Sequence, residues 1–169
     1  MRPQDYRDVA FHEAAHAVAD VRFGFGFCTV SIKPANGTLG RVFSLDGWDD
    51  LETARNYVIS CLAGFASETR MDPTNEKSAR LGACGDFEIV SKPLEVLTLD
   101  LETGIVLAKE WVDSPENWRA IELVANELLI RKELDADEVS TLVEIADGKA
   151  TQKDLANMRE SLAKIKQIQ

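Results

Sequence analysis

A chain of 169 residues with 45% hydrophobic positions is long enough for one domain with a real core and too short for two full ones. Its 29 acidic against 19 basic side chains leave a formal charge of −10, which argues against nucleic acid or anionic lipid as a partner, because both select positive surfaces. Three widely spaced cysteines, Cys28, Cys61 and Cys84, fit neither a disulfide framework nor a cysteine zinc site. With no apolar leader in residues 1–5 and no apolar run near the ~20 residues of a membrane span, they suggest a soluble, cytoplasmic protein.

The first predicted element is a helix over residues 5–23, with Val9, Phe11, Ala14, Ala15, Val18 and Val21 as its apolar positions and Gly24 as its stop. Inside it lie the chain's two histidines, four residues apart, in the run Phe11-His12-Glu13-Ala14-Ala15-His16. This is H-E-x-x-H. On a helix the i and i+4 imidazoles stand one turn apart on one face and can reach one Zn²⁺, while Glu13, about 100° around the axis, sits beside the metal. Zinc polarises a carbonyl and acidifies a water, and a neighbouring carboxylate takes that water's proton, which is the chemistry of a zinc peptidase. A chain with only two histidines produces this pattern by chance about once in a thousand arrangements. The bland alternative is a pair of helix histidines that hydrogen-bond in a core.

Residues 27–32 and 39–45 read as two strands, with Pro34, Asn36 and Gly37 marking a turn between them. Asp49 or Asp50 caps a second helix reaching about Thr69, whose apolar stripe should pack on the first. Residues 71–79 read as a polar loop near the site. Asp86 is placed to begin a third helix, which Pro93 must break or kink. Further helices are expected over residues 99–112, from Ser114-Pro115 to about Lys132, from a capping box at Asp135 to Gly148, and from Thr151 to the fading C-terminal tail. In that last helix Leu155, Met158, Leu162, Ile165 and Ile168 fall at helical spacing. Gly148-Lys149 lacks the spacing of a phosphate loop, so the sequence carries no ATPase of its own.

With no third histidine, the remaining zinc ligand must be a carboxylate or, less naturally, a thiolate. Ala19 and Arg22 occupy the positions where a metzincin has glycine and histidine, which excludes that class. Glu68 with Asp72 has the spacing of a thermolysin-like ligand and its supporting aspartate. Asp86, after a glycine-rich turn, is the other candidate, although such a residue alone is more often a helix cap. Cys84 is a distant third.

The chain resembles the peptidase domain of FtsH-type ATP-dependent zinc metalloproteases. Residues 11–18 are similar to that family's A-x-H-E-A-G-H-A. Val30-Ser31-Ile32-Lys33-Pro34 with Leu39-Gly40-Arg41-Val42 resembles its V-x-I-x-P and L-G region. Residues 59–68 (ISCLAGFASE) look like L-L-G-G-R-A-A-E, and Gly82-Ala83-Cys84-Gly85-Asp86-Phe87-Glu88 looks like G-A-S-N-D-L-x. The likeness spans most of residues 6–145. It implies a mainly α fold with a small β-sheet (α+β), zinc held by His12, His16 and Asp86, Glu13 as general base, and Glu68 as a supporting acid. It also implies a peptide or unfolded-protein substrate held by β-addition to an edge strand, for which residues 39–45 are the candidate. The departures are Ala15 for glycine, Cys84-Gly85 for Ser-Asn, Pro93 in the following helix, and the missing ATPase module and membrane anchor. Such a domain would cut peptides, unfolded chains or exposed tails unless a separate ATPase feeds it, and the family's ring-forming habit raises a homo-oligomer. The alternative from another class is a catalytically weak zinc-binding scaffold that acts on a partner.

Overall fold

A computed structural model describes residues 3–34, 40–44 and 47–166. Helix α1 (Pro3–Phe23) is the centre of the fold. Ala10, Phe11, Ala14, Ala15, Ala17, Val18 and Ala19 are all buried, so the helix is enclosed on nearly every side. Its small side chains let neighbouring backbones approach closely. Helix α2 (Leu51–Met71) crosses it, as the second apolar stripe predicts, and starts at Asp50, whose carboxylate and Thr53 form a reciprocal cap. The two helices run in opposite directions, since Phe11 is tied to Ser67 and Asp20 to Ser60.

Strands β1 (Phe27–Ser31) and β2 (Arg41–Ser44) pair antiparallel, Val30 opposite Val42. Leu39, Leu45 and the Asn36-Gly37 turn lie outside the described residues. A third strand not foreseen from sequence, β3 (Glu133–Asp135), pairs with the other side of β1 to give the order β2-β1-β3. Ile32 N–H extends that pairing by donating to the Lys132 carbonyl at 2.9 Å. β2 is therefore an outer strand of this sheet.

The segment 71–79, expected as a loop, is largely helical. Asp72 accepts from Thr74 N–H, Pro73–Asn75 forms one 3-10 turn, and helix α3 (Glu76–Gly82) follows with an Arg80–Glu76 pair one turn apart. Only Ala79 of α3 is buried, which is why its composition reads as a loop. Helices α4 (Cys84–Ile89) and α5 (Ser91–Leu97) come next and break at Val90. Pro93 sits in the first turn of α5, where its missing N–H costs nothing. Asp86 is thus inside α4 rather than at its cap, and its side chain is released for the interior.

Helices α6 (Leu101–Asp113), α7 (Pro115–Arg131), α8 (Ala136–Ala146) and α9 (Gln152–Lys166) complete the mainly helical architecture. The capping box at Asp135 and Glu138 forms as the sequence predicts. Phe65 of α2, fully buried, meets Phe87 of α4 edge-on with ring centroids 5.5 Å apart. Burial of such a ring contributes about 2–3 kcal/mol, and here it also holds the helix that carries Asp86. Among the described residues no helix is long and apolar enough to cross a membrane.

Candidate metal centre

His12 and His16 lie on the face of α1 that meets α2, and α4 brings Asp86 to the same point. The two Nε2 atoms are 3.0 Å apart, and Asp86 Oδ2 stands 3.2 Å from that of His12 and 3.7 Å from that of His16. In a tetrahedral zinc site with bonds near 2.0–2.1 Å, ligand atoms are separated by about 3.3 Å. The three observed separations bracket that value, and the three ligand atoms form a compact donor group among the described residues.

The other nitrogen of each ring is already engaged. His12 Nδ1 meets Glu68 Oε1 at 2.6 Å, and His16 Nδ1 meets the Ser60 carbonyl at 2.7 Å. A carbonyl has no proton to give, so Nδ1 of His16 must be the donor, which in the neutral ring leaves the Nε2 lone pair facing Asp86 and His12. Glu68 fixes His12 in the same sense. It stands behind the imidazole, on the side away from Asp86, and so occupies a supporting position rather than that of a third ligand. Cys84 is turned away, its thiol donating to the Arg80 carbonyl at 3.5 Å, and Asp72 is spent on Thr74.

The helices reach this geometry because α2 carries Gly64 where the imidazoles arrive. A Cβ there would sit 2.5 Å from His16 Nε2 and 2.6 Å from His12 Nε2, so only glycine leaves the rings their place. Gly40, at the foot of β2, plays the same part for Glu13: a Cβ would fall 2.6 Å from the Glu13 carboxylate. Both glycines stand in blocks that carry the family resemblance, but their roles depend on contacts between elements far apart in the chain.

The charges respond to one another. Burial alone would lower the pKa of His12, but hydrogen bonds to Asp86 and Glu68 and the nearby Glu13 raise it well above the ordinary value. In His16 burial is likewise outweighed, here by Asp86, and the net shift is upward. Burial would raise Asp86, yet the two imidazoles hold it well below the usual carboxylate range. Glu13, 7% exposed, is raised because burial disfavours its charged form. The imidazoles and the acids around them thus favour one another's charged forms.

His12, Glu13, His16 and Asp86 open onto a cavity of about 450 Å³, also lined by Asp20, Gly40, Val42, Tyr57, Ser60, Cys61 and Ile89. Burial pushes both the Cys61 thiol and the Tyr57 phenol up to about 12, so each is neutral at physiological pH. Val42 and Ile89 supply the cavity's apolar wall. Comparison of the chain with protein-family models and with curated proteins finds no match.

Proposed function

We propose that the protein is a zinc-dependent metallopeptidase in which His12, His16 and Asp86 hold the metal and Glu13 is the general base. The observation that carries this reading is the convergence of two imidazoles and one carboxylate on one point with a buried glutamate beside them. A metal-free helix pair has no need of Glu13 facing the cavity, whereas hydrolysis does. Zinc, when bound by such a set, acts as a Lewis acid that polarises a carbonyl and lowers the pKa of a water.

The chain's own residues account for the remaining steps. Glu68 and the Ser60 carbonyl keep the imidazoles in the tautomer that offers Nε2. The Glu13 carboxylate accepts a proton from the attacking water as oxygen bonds to the scissile carbon. It then gives that proton to the amine nitrogen as the C–N bond breaks, so the base ends the cycle ionised. A peptide pairing with the outer edge of β2 would run past Gly40 and Val42, which line the same cavity as Glu13. The open cavity suits an extended peptide or an unfolded segment, and substrate delivery by a separate ATPase and assembly into a homo-oligomer remain compatible with it.

The test is hydrolysis of unfolded casein by zinc-loaded wild type and by Glu13→Gln, with bound zinc counted in both. Cleavage by wild type alone at equal zinc content is the expected result. Equal cleavage by both would remove Glu13 from the mechanism, and zinc in both without cleavage in either would favour the scaffold reading.

A further inference from the structure

We infer that Asp20, acting through the Ser60 hydroxyl, is a positioning residue for His16. The inference rests on the metal reading above for its main consequence, which is how tightly zinc is held. Asp20 is one helical turn beyond His16 on α1 and only 3% exposed, and a carboxylate buried to that degree must find hydrogen-bond donors. Ser60, across the helix crossing, gives its hydroxyl proton to Asp20 Oδ1 at 2.5 Å. The carbonyl of the same Ser60 accepts His16 Nδ1–H at 2.7 Å. One residue of α2 therefore holds two successive turns of α1, and the first of them carries the ligand His16.

The Ser60 hydroxyl behaves unlike most helical hydroxyls. A serine or threonine inside a helix commonly bonds back to a carbonyl one turn earlier, as Thr69 does with Ala66 and Ser140 with Ala136. Ser60 instead reaches across to the neighbouring helix. Ser67 also reaches α1, but its hydroxyl is shared between the Phe11 carbonyl at 3.0 Å, next to His12, and the Gly64 carbonyl of its own helix at 2.9 Å. The two ties bracket the histidine pair and set how far α2 can slide or turn against α1 between them.

His12 and His16 are supported unequally. On Nδ1, His12 has a carboxylate side chain that can follow the ring, while His16 has a backbone carbonyl that cannot move without α2. The aim of His16 Nε2 thus depends on where the backbone of α2 stands, and Asp20 anchors that backbone at the residue whose carbonyl the ring meets. The Asp20 carbonyl, accepting from Phe25 N–H at 2.8 Å, anchors the end of α1 in turn. Residues that orient a metal-binding imidazole without touching the metal commonly change affinity by about 10- to 100-fold when removed.

The experiment compares wild type with Asp20→Ala, Ser60→Ala and Asp20→Asn. Zinc affinity is measured by competition with a chromophoric chelator, coordination by the visible spectrum of the cobalt form, and the His16 tautomer by ¹⁵N shifts of the metal-free protein at a pH high enough to leave the imidazoles neutral. Both alanine variants should bind zinc about 10- to 100-fold more weakly, alter the cobalt bands and lose the single Nδ1–H tautomer of His16. Asp20→Asn, whose side-chain oxygen can still accept from Ser60, should stay close to wild type. Ser60→Ala keeps the backbone carbonyl and removes one hydroxyl, so it decides the matter should Asp20→Ala not fold. Alanine variants that are merely less stable, with zinc affinity and His16 tautomer unchanged, would overturn the inference. If wild type takes up no zinc, the metal reading fails, and the tautomer comparison still decides the role of Asp20: loss sustains it and an unchanged spectrum overturns it.

Discussion

The crossing of α1 with α2 and the junction of α7, α8 and α9 both carry acids that the fold withdraws from water, and they neutralise them in opposite ways. At the junction Arg159 donates to Glu127 at 2.6 Å and to Glu138 at 2.8 Å, with Arg131 3.5 Å from the latter. At the other end of α8, Asp147 is gripped by both terminal nitrogens of Arg22, at 2.6 and 3.0 Å. Each of these acids is answered by a cation of the chain itself. At the crossing Glu13, Asp20, Glu68 and Asp86 gather around two imidazoles, and no lysine or arginine is among the described residues that line the cavity. The upward shifts of His12 and His16 express the same imbalance. In the proposed reading, a metal would supply at the crossing the positive charge that arginine supplies at the junction.

The strongest way to break the comparison is Gly64→Ala. Its added methyl would collide with both Nε2 atoms, so the variant should lose zinc binding and about 1–3 kcal/mol of stability as α1 and α2 move apart. Gly85→Ala is the matched control: it neighbours Asp86 but meets open space, and should keep its zinc. Metal content and thermal unfolding read both outcomes. Zinc binding by Gly64→Ala at wild-type strength would place the metal elsewhere.

At the other region, Arg159→Ala removes the partner of Glu127 and of Glu138, and the latter is a buried carboxylate. A loss of about 1–2 kcal/mol in denaturant unfolding is expected, with zinc affinity unchanged. A parallel fall in zinc affinity would mean that the two regions are not independent.

The smallest effect is a pH dependence. The hydrogen bonds from Arg22 lower the Asp147 pKa to about 2. An acid whose pKa is depressed by folding contributes its stability in full above the unfolded value and loses it as pH falls through the folded one. The Arg22–Asp147 pair should therefore contribute about 1 kcal/mol at neutral pH, fading between about pH 4 and pH 2. Unfolding free energies of wild type and Asp147→Asn should converge across that window, and a constant gap would show that the pair does not titrate as described.

Local signals carried much of this fold into view from sequence alone. The α1 motif, the Asp50 cap of α2, the proline break after α4 and the capping box at Asp135 are each written within a few neighbouring residues. β3 was not legible, because three residues become a strand only by pairing with β1 about a hundred positions earlier. Helix α3 was hidden by its polarity. At the site, the H-E-x-x-H pair was plain, but spacing could not separate Glu68 from Asp86. That distinction lies in which ring nitrogen each acid meets, and it is set by how α2 and α4 pack on α1. Gly64 and Gly40 stand in motif positions whose role only packing reveals, and no local pattern announces the Ser60–Asp20 tie.

The most direct test of the central claim is anomalous diffraction at the zinc absorption edge from crystals grown with one equivalent of zinc. The account predicts one dominant peak between His12 Nε2, His16 Nε2 and Asp86 Oδ2, lost in Asp86→Ala and retained in Arg159→Ala. A peak centred on Glu68, on a cysteine or on surface acids, or no peak at all, would contradict it.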